Sequence, residues 1–104
     1  MSDYLKNVKE YVESPNEDAV AALVNHLSIA LDNRDSAIVA ATDDGELESI
    51  KDGYCRKTLD LDDAEADKAI QAVCERMKGD RAKCRVTFYY LLAEESGKMS
   101  RLAG

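Results

Sequence analysis

Val86-Thr87-Phe88-Tyr89-Tyr90-Leu91-Leu92-Ala93 is the stretch on which the fold turns. It is apolar nearly all round, so as a helix it belongs at the centre of a bundle rather than on its surface. Its β-branched and aromatic residues also permit a strand. A strand there would have Ile38-Val39 as its one evident partner, and an isolated two-stranded sheet is marginal in water. The helical reading is therefore preferred. It predicts a helix over residues 81–96, with Asp80 as N-cap and Gly97 as stop.

Working back along the chain, Asp62 with Glu65 three residues on forms a capping box for a helix over 63–78. Ala66, Ala69, Ile70, Val73, Cys74 and Met77 occupy one face of it, with Asp67, Lys68, Gln71, Glu75 and Arg76 opposite. A third helix is expected over 44–58, capped by Asp43 or Asp44 and weakened by Gly45 and Gly53, each by about 1 kcal/mol inside a helix. Ser14-Pro15-Asn16-Glu17 has the form of a capping box with proline at the first helical position, which predicts a helix over 15–31. Tyr4, Leu5, Val8, Tyr11 and Val12 predict another over 3–13. Residues 33–42 read equally as strand, helix or extended connection, because periodicity does not decide for so short an apolar run. The tail, 98–104, is expected to fray. The expectation is an all-α fold: one domain, 1–104, built as a compact bundle of about five helices with the last one central.

Composition agrees with one globular domain. The chain has 104 residues, 45% of them apolar, with one proline and five glycines. No apolar run approaches the roughly 20 residues of a membrane span. Met1-Ser2-Asp3-Tyr4-Leu5-Lys6 does not read as a signal peptide, so a cytoplasmic location is expected, with no membrane partner. Three cysteines, Cys55, Cys74 and Cys84, are an odd number without a Cys-x-x-Cys spacing, which argues against a disulfide framework.

The order of pieces from Glu46-Leu47-Glu48 and Ile50, through Arg56-Lys57-Thr58-Leu59-Asp60-Leu61, to Lys83-Cys84-Arg85 and the Tyr89-Tyr90-Leu91-Leu92 core resembles a family of small bacterial proteins known only as a domain of unknown function. The resemblance covers about residues 35–97. Gly53-Tyr54 and Thr58 depart from the Asn-Phe pair and the lysine common there. It implies a compact helical fold and carries over no catalytic residue.

Candidate chemistry is sparse. His26, Cys55, Cys74 and Cys84 match a zinc count but include no close ligand pair, so no metal is expected. Asp60-Leu61-Asp62-Asp63-Ala64-Glu65 opens like a calcium loop, yet the sixth and twelfth positions are Glu65 and Gln71 where glycine and glutamate are required. No phosphate loop, nucleophile elbow or dinucleotide fingerprint occurs, and no cofactor is expected. His26, the sole histidine, has no catalytic partner in the sequence.

Charge leaves one feature. The net charge is −7, but residues 68–104 carry eight Lys/Arg against four Asp/Glu, whereas residues 1–67 carry six against 17. Arg76, Lys78, Arg81, Lys83 and Arg85 cluster around a predicted helix–helix turn. They are the candidate contacts for an anion, a nucleotide or a nucleic acid, with Tyr89 or Tyr90 as stacking groups. The acidic balance of the whole chain disfavours nucleic acid and favours pairing of these cations with the acidic first part. Tyr4 and Tyr11 are candidates for a partner-facing surface. The leading expectation is a non-catalytic helical protein that acts through protein contacts, as a homo-oligomer or with another protein. Anion or nucleic-acid binding through the basic turn is the alternative, and an enzyme built on His26 the remote one.

Overall fold

All eight side chains from Val86 to Ala93 are buried in the computed structural model, which describes residues 2–27, 37–39, 43–80 and 83–103. In chain order the elements are α1 (Ser2–Lys9), α2 (Glu17–His26), β1 (Ile38–Val39), α3 (Asp44–Ile50), a π-helical segment (Lys51–Thr58), α4 (Asp63–Arg76), β2 (Lys83–Cys84), α5 (Arg85–Ser96) and α6 (Ser100–Ala103). The fold is an all-α bundle with α5 at its centre, packed by α1, α2 and α4. Phe88, Leu91 and Leu92 are fully enclosed, and such burial contributes about 1.5–3 kcal/mol per side chain.

Local chemistry explains most of the helix ends. Asp62 caps α4 by the reciprocal box, with Glu65 N–H donating to Asp62 Oδ1 at 2.8 Å and Asp62 N–H donating to Glu65 Oε1 at 3.2 Å. Asp43 caps α3 by accepting from Gly45 N–H at 2.9 Å. Gly97 ends α5 in the left-handed region, at φ 72°, where glycine is free of Cβ strain.

Five expectations need correction. The second helix starts at Glu17 and is capped by Asn16, not Ser14: Asn16 Oδ1 accepts from Ala19 N–H at 3.1 Å, while Asn16 N–H donates to the Tyr90 hydroxyl at 2.8 Å. That contact from α5 sets the start of α2. The helix reaches His26, with Leu27 as its C-cap; the rest of the predicted span to residue 31 lies outside the described residues. The first helix ends at Lys9 and passes into turn bonds, Tyr11 N–H and Val12 N–H both donating to Val8 O at 3.0 Å.

The last helix begins at Arg85, not residue 81, because Lys83–Cys84 pairs antiparallel with Ile38–Val39. Asp80 therefore does not cap it; its carboxylate accepts from the Tyr11 hydroxyl at 3.1 Å. The strand partner foreseen for the rival reading, Ile38-Val39, is thus used, but by the two residues that precede the apolar stretch. Residues 33–36 and 40–42 of the ambiguous region lie outside the described residues. The tail is not simply frayed either: α6 packs on α2, and Met99 and Leu102 are half-buried against the core.

The predicted third helix changes register midway. After Ile50 the chain winds as a π-helix to Thr58, closing with Leu59 N–H on Tyr54 O at 3.0 Å. Leu61 N–H then reaches Cys55 O at 3.0 Å across Asp60, which sits at φ 55°. The wider turn brings two consecutive side chains, Tyr54 and Cys55, into the core. Gly53, a poor α-former, lies just before them.

Candidate functional site

The described cations of the basic run do not form one patch. Arg76 bonds Glu94 at 2.7 Å, lies 3.7 Å from Glu95 and donates to Tyr11 O at 3.1 Å. Lys78 pairs with Glu75 at 2.8 Å on the surface. Lys83 Nζ donates to Asp80 O at 2.8 Å. Arg85 pairs with Glu46 and also donates to the Tyr89 hydroxyl at 3.2 Å and to Ile38 O at 3.4 Å. Arg85 and Glu94, the partner of Arg76, stand nine residues apart on α5, about 14 Å along its axis. Arg81 lies outside the described residues. Arg85 with Glu46, and Arg101 with Asp60 at 3.2 Å, tie the basic end to the acidic part, whereas Arg76 and Lys78 pair within the basic end itself. Tyr89 and Tyr90 are 7% and 3% exposed, so neither ring is presented to a stacking base.

Tyr89 instead belongs to an aromatic pair. The Tyr54 and Tyr89 rings stack with centroids 4.1 Å apart and planes 23° from parallel. Tyr54 Oη donates to the Tyr89 backbone carbonyl at 2.9 Å. Burial pushes the Tyr54 hydroxyl far above its ordinary value. Burial also raises Tyr89, against the opposing hydrogen bond and charge of Arg85. Burial works against the Arg85 charge, but its hydrogen bonds to Glu46 and Tyr89 win and its pKa rises.

The same aromatic pair lines a cleft of about 430 Å³, with His26, Leu27, Ser49, Gly53, Lys57 and Thr58 around it. The cleft lies between the end of α2 and the π segment. π-Helical segments within helices occur frequently at functional sites. A Cβ added to Gly53 would meet nothing within 4 Å, so the wall is open there. Lys51 and Arg56 each pair with carboxylates, at 3.2 Å to Asp67 and at 3.6 Å to Asp63. Lys57 is exposed and pairs with no carboxylate among the described residues.

The cysteines are dispersed. Cys55 is fully buried in the π segment, and burial pushes its thiol up to about 12. Cys74 on α4 is half-buried and also raised by burial, against the Lys83 charge. Cys84 lies in β2. Among the described residues no three His, Cys, Asp or Glu side chains are grouped to hold a metal ion. Tyr4 and Tyr11 are half-buried against the core rather than fully presented to solvent. No described helix is long and apolar enough to cross a membrane.

The sequence contained one trace of the cleft. Gly53 and Tyr54 were visible as a weak point in a helix, but nothing local joins them to His26 or Tyr89.

A family model described as "Protein of unknown function (DUF2853)" matches residues 3–100. The match extends over residues 3–34, ahead of the stretch from about residue 35 that carried the resemblance. No curated protein matches the chain.

Proposed function

The chain belongs to this family of unknown function, DUF2853, and from that premise we propose that it is a non-catalytic helical domain acting through protein contacts, with a second copy of itself as first partner. The observation that supports this is Ile38, the exposed large apolar side chain among the described residues, at 37%. It stands on β1, paired to β2 on one side. Arg85 N–H donates to Ala37 O at 2.8 Å, so Ile38 opposite Cys84 is the non-hydrogen-bonded pair. The alternation of an antiparallel ladder then directs the Ile38 N–H away from β2. The Ile38 carbonyl accepts from Arg85 at 3.4 Å, so its N–H is the edge group offered for strand pairing, and pairing two copies edge to edge closes about a two-fold axis.

Two short edges and one apolar side chain make a small interface, so association is expected at tens of micromolar rather than nanomolar. The net charge of −7 repels a second copy, and added salt should strengthen the dimer by screening that repulsion. Light scattering on the purified chain tests this. The expected result is a mass rising with concentration from 11.5 kDa towards twice that value, and staying at 11.5 kDa for Ile38→Lys. A monomer mass for the unaltered chain at every concentration and salt would contradict it.

Anion binding through the basic turn draws less support, since Arg76, Lys83 and Arg85 are engaged within the chain. Catalysis by His26 draws little, since no carboxylate or thiol lines the cleft beside it among the described residues.

A further inference from the structure

We propose that Arg85 and Glu46 guard the β1 edge and hold strand pairing between two copies weak and reversible. The inference rests on the reading of β1 as the contact edge and adds what limits that contact. Ile38 stands opposite Cys84 in the non-hydrogen-bonded position, so its N–H and its carbonyl both point away from β2. The group bonded to this carbonyl is the Arg85 guanidinium, at 3.4 Å. The guanidinium therefore stands on the open side of β1, in the path of an incoming strand.

Arg85 is fixed there from three directions. Its main-chain N–H donates to Ala37 O at 2.8 Å, its guanidinium donates to the Tyr89 hydroxyl at 3.2 Å, and Glu46 of α3 pairs with it. An ion pair that only joined α3 to α5 would have no need of the Ile38 carbonyl. Charged side chains placed at an edge are a common means by which a sheet avoids adding strands.

Pairing two copies about a two-fold axis at Ile38 makes each Ile38 N–H donate to the Ile38 carbonyl of the other copy. Arg85 must first release that carbonyl in both copies, so one weak bond is given up on each side. On release the guanidinium keeps Glu46 and the Tyr89 hydroxyl. The guard thus lowers the affinity of the dimer without forbidding it.

Sedimentation equilibrium on the full chain tests the guard with the unaltered protein, Arg85→Lys and the double variant Arg85→Met/Glu46→Gln. The double variant removes both charges together, so neither is left shielded and unpaired, and the net charge of −7 is unchanged. Arg85→Lys keeps a charge for Glu46 but lacks the fork that also reaches Ile38. The double variant should associate about tenfold more tightly, the worth of two weak hydrogen bonds. Arg85→Lys should shift the same way by less, and Ile38→Lys added to either should abolish the gain. If the double variant does not fold, Arg85→Lys carries the test. A folded variant that associates no more tightly than the unaltered chain overturns the proposal, as does a gain that survives Ile38→Lys. A monomeric unaltered chain beside a dimeric double variant would contradict the proposed self-association and support the guard. Equal dimerisation of both would do the reverse, and monomers throughout would overturn both.

Discussion

Tyr54 and Tyr89 are joined twice: their rings stack at 4.1 Å, and the hydroxyl of the first donates to the main-chain carbonyl of the second at 2.9 Å. The bond couples the π segment to the central helix. It also makes the two contributions separable. Tyr54→Phe keeps the stack and removes one hydrogen bond, for a loss of about 1 kcal/mol. Tyr54→Ala removes the ring as well and should cost about 3–5 kcal/mol. Urea unfolding of the two variants measures both. Equal losses would mean that the ring contributes nothing beyond its hydroxyl.

Arg85 and Glu46 form an ion pair in which both side chains are largely shielded, at 12% and 24% exposure. Arg85 at the start of α5 thereby holds the first turn of α3. A double-mutant cycle with Arg85→Met and Glu46→Gln should give a coupling of about 1–3 kcal/mol, well above an exposed pair such as Lys78 with Glu75. A coupling indistinguishable from that surface pair would remove the role assigned to Arg85.

Stability should fall steeply in alkali. Cys55 is raised by burial from its ordinary 9.0 to about 12, and Tyr54 and Tyr89 are raised above their ordinary 10.0. For each group the folded state holds the proton more tightly than the unfolded chain. Stability is then fully present below the unfolded-state pKa and declines as pH rises above it, towards the folded-state pKa. The slope is up to about 1.4 kcal/mol per pH unit for each group. Denaturation midpoints between pH 8 and about pH 11 should show this decline, and Cys55→Val should make it shallower. The same burial predicts that thiol reagents label Cys74 and Cys84 well before Cys55, whose labelling should follow global unfolding.

Asp60 adopts φ 55°, a left-handed conformation that glycine enters without Cβ strain. Asp60→Gly should be neutral or stabilising by up to about 1 kcal/mol, despite losing the exposed contact to Arg101. Asp60→Val should destabilise by more than 1 kcal/mol, roughly, because a β-branched residue fits that region poorly. Thermal midpoints rank the two. The reverse order would show that the carboxylate, not the backbone, governs this turn.

What could be read from the sequence was local or strongly patterned. Asp43, Asp62 and Gly97 act within one turn of themselves, and Val86 to Ala93 is apolar on every side, so caps and centre were foreseeable. What could not be read depends on distant partners. Asn16 displaces Ser14 as cap because Tyr90 reaches it from α5. The strand Lys83–Cys84 exists because Ile38–Val39 lies beside it. The π register carries Tyr54 and Cys55 together into the core, where Tyr54 meets Tyr89 of α5, a partner 35 residues away. The cleft inherits this blindness, since His26, Gly53 and Tyr89 meet only in the folded chain.

Contact through the β1 edge is tested most directly by amide hydrogen exchange at Ile38, in dilute and in concentrated protein. Pairing of two copies predicts that Ile38 gains protection as concentration rises, while the amides of α4 keep theirs unchanged. Exchange at Ile38 that is fast and identical at all concentrations would contradict it.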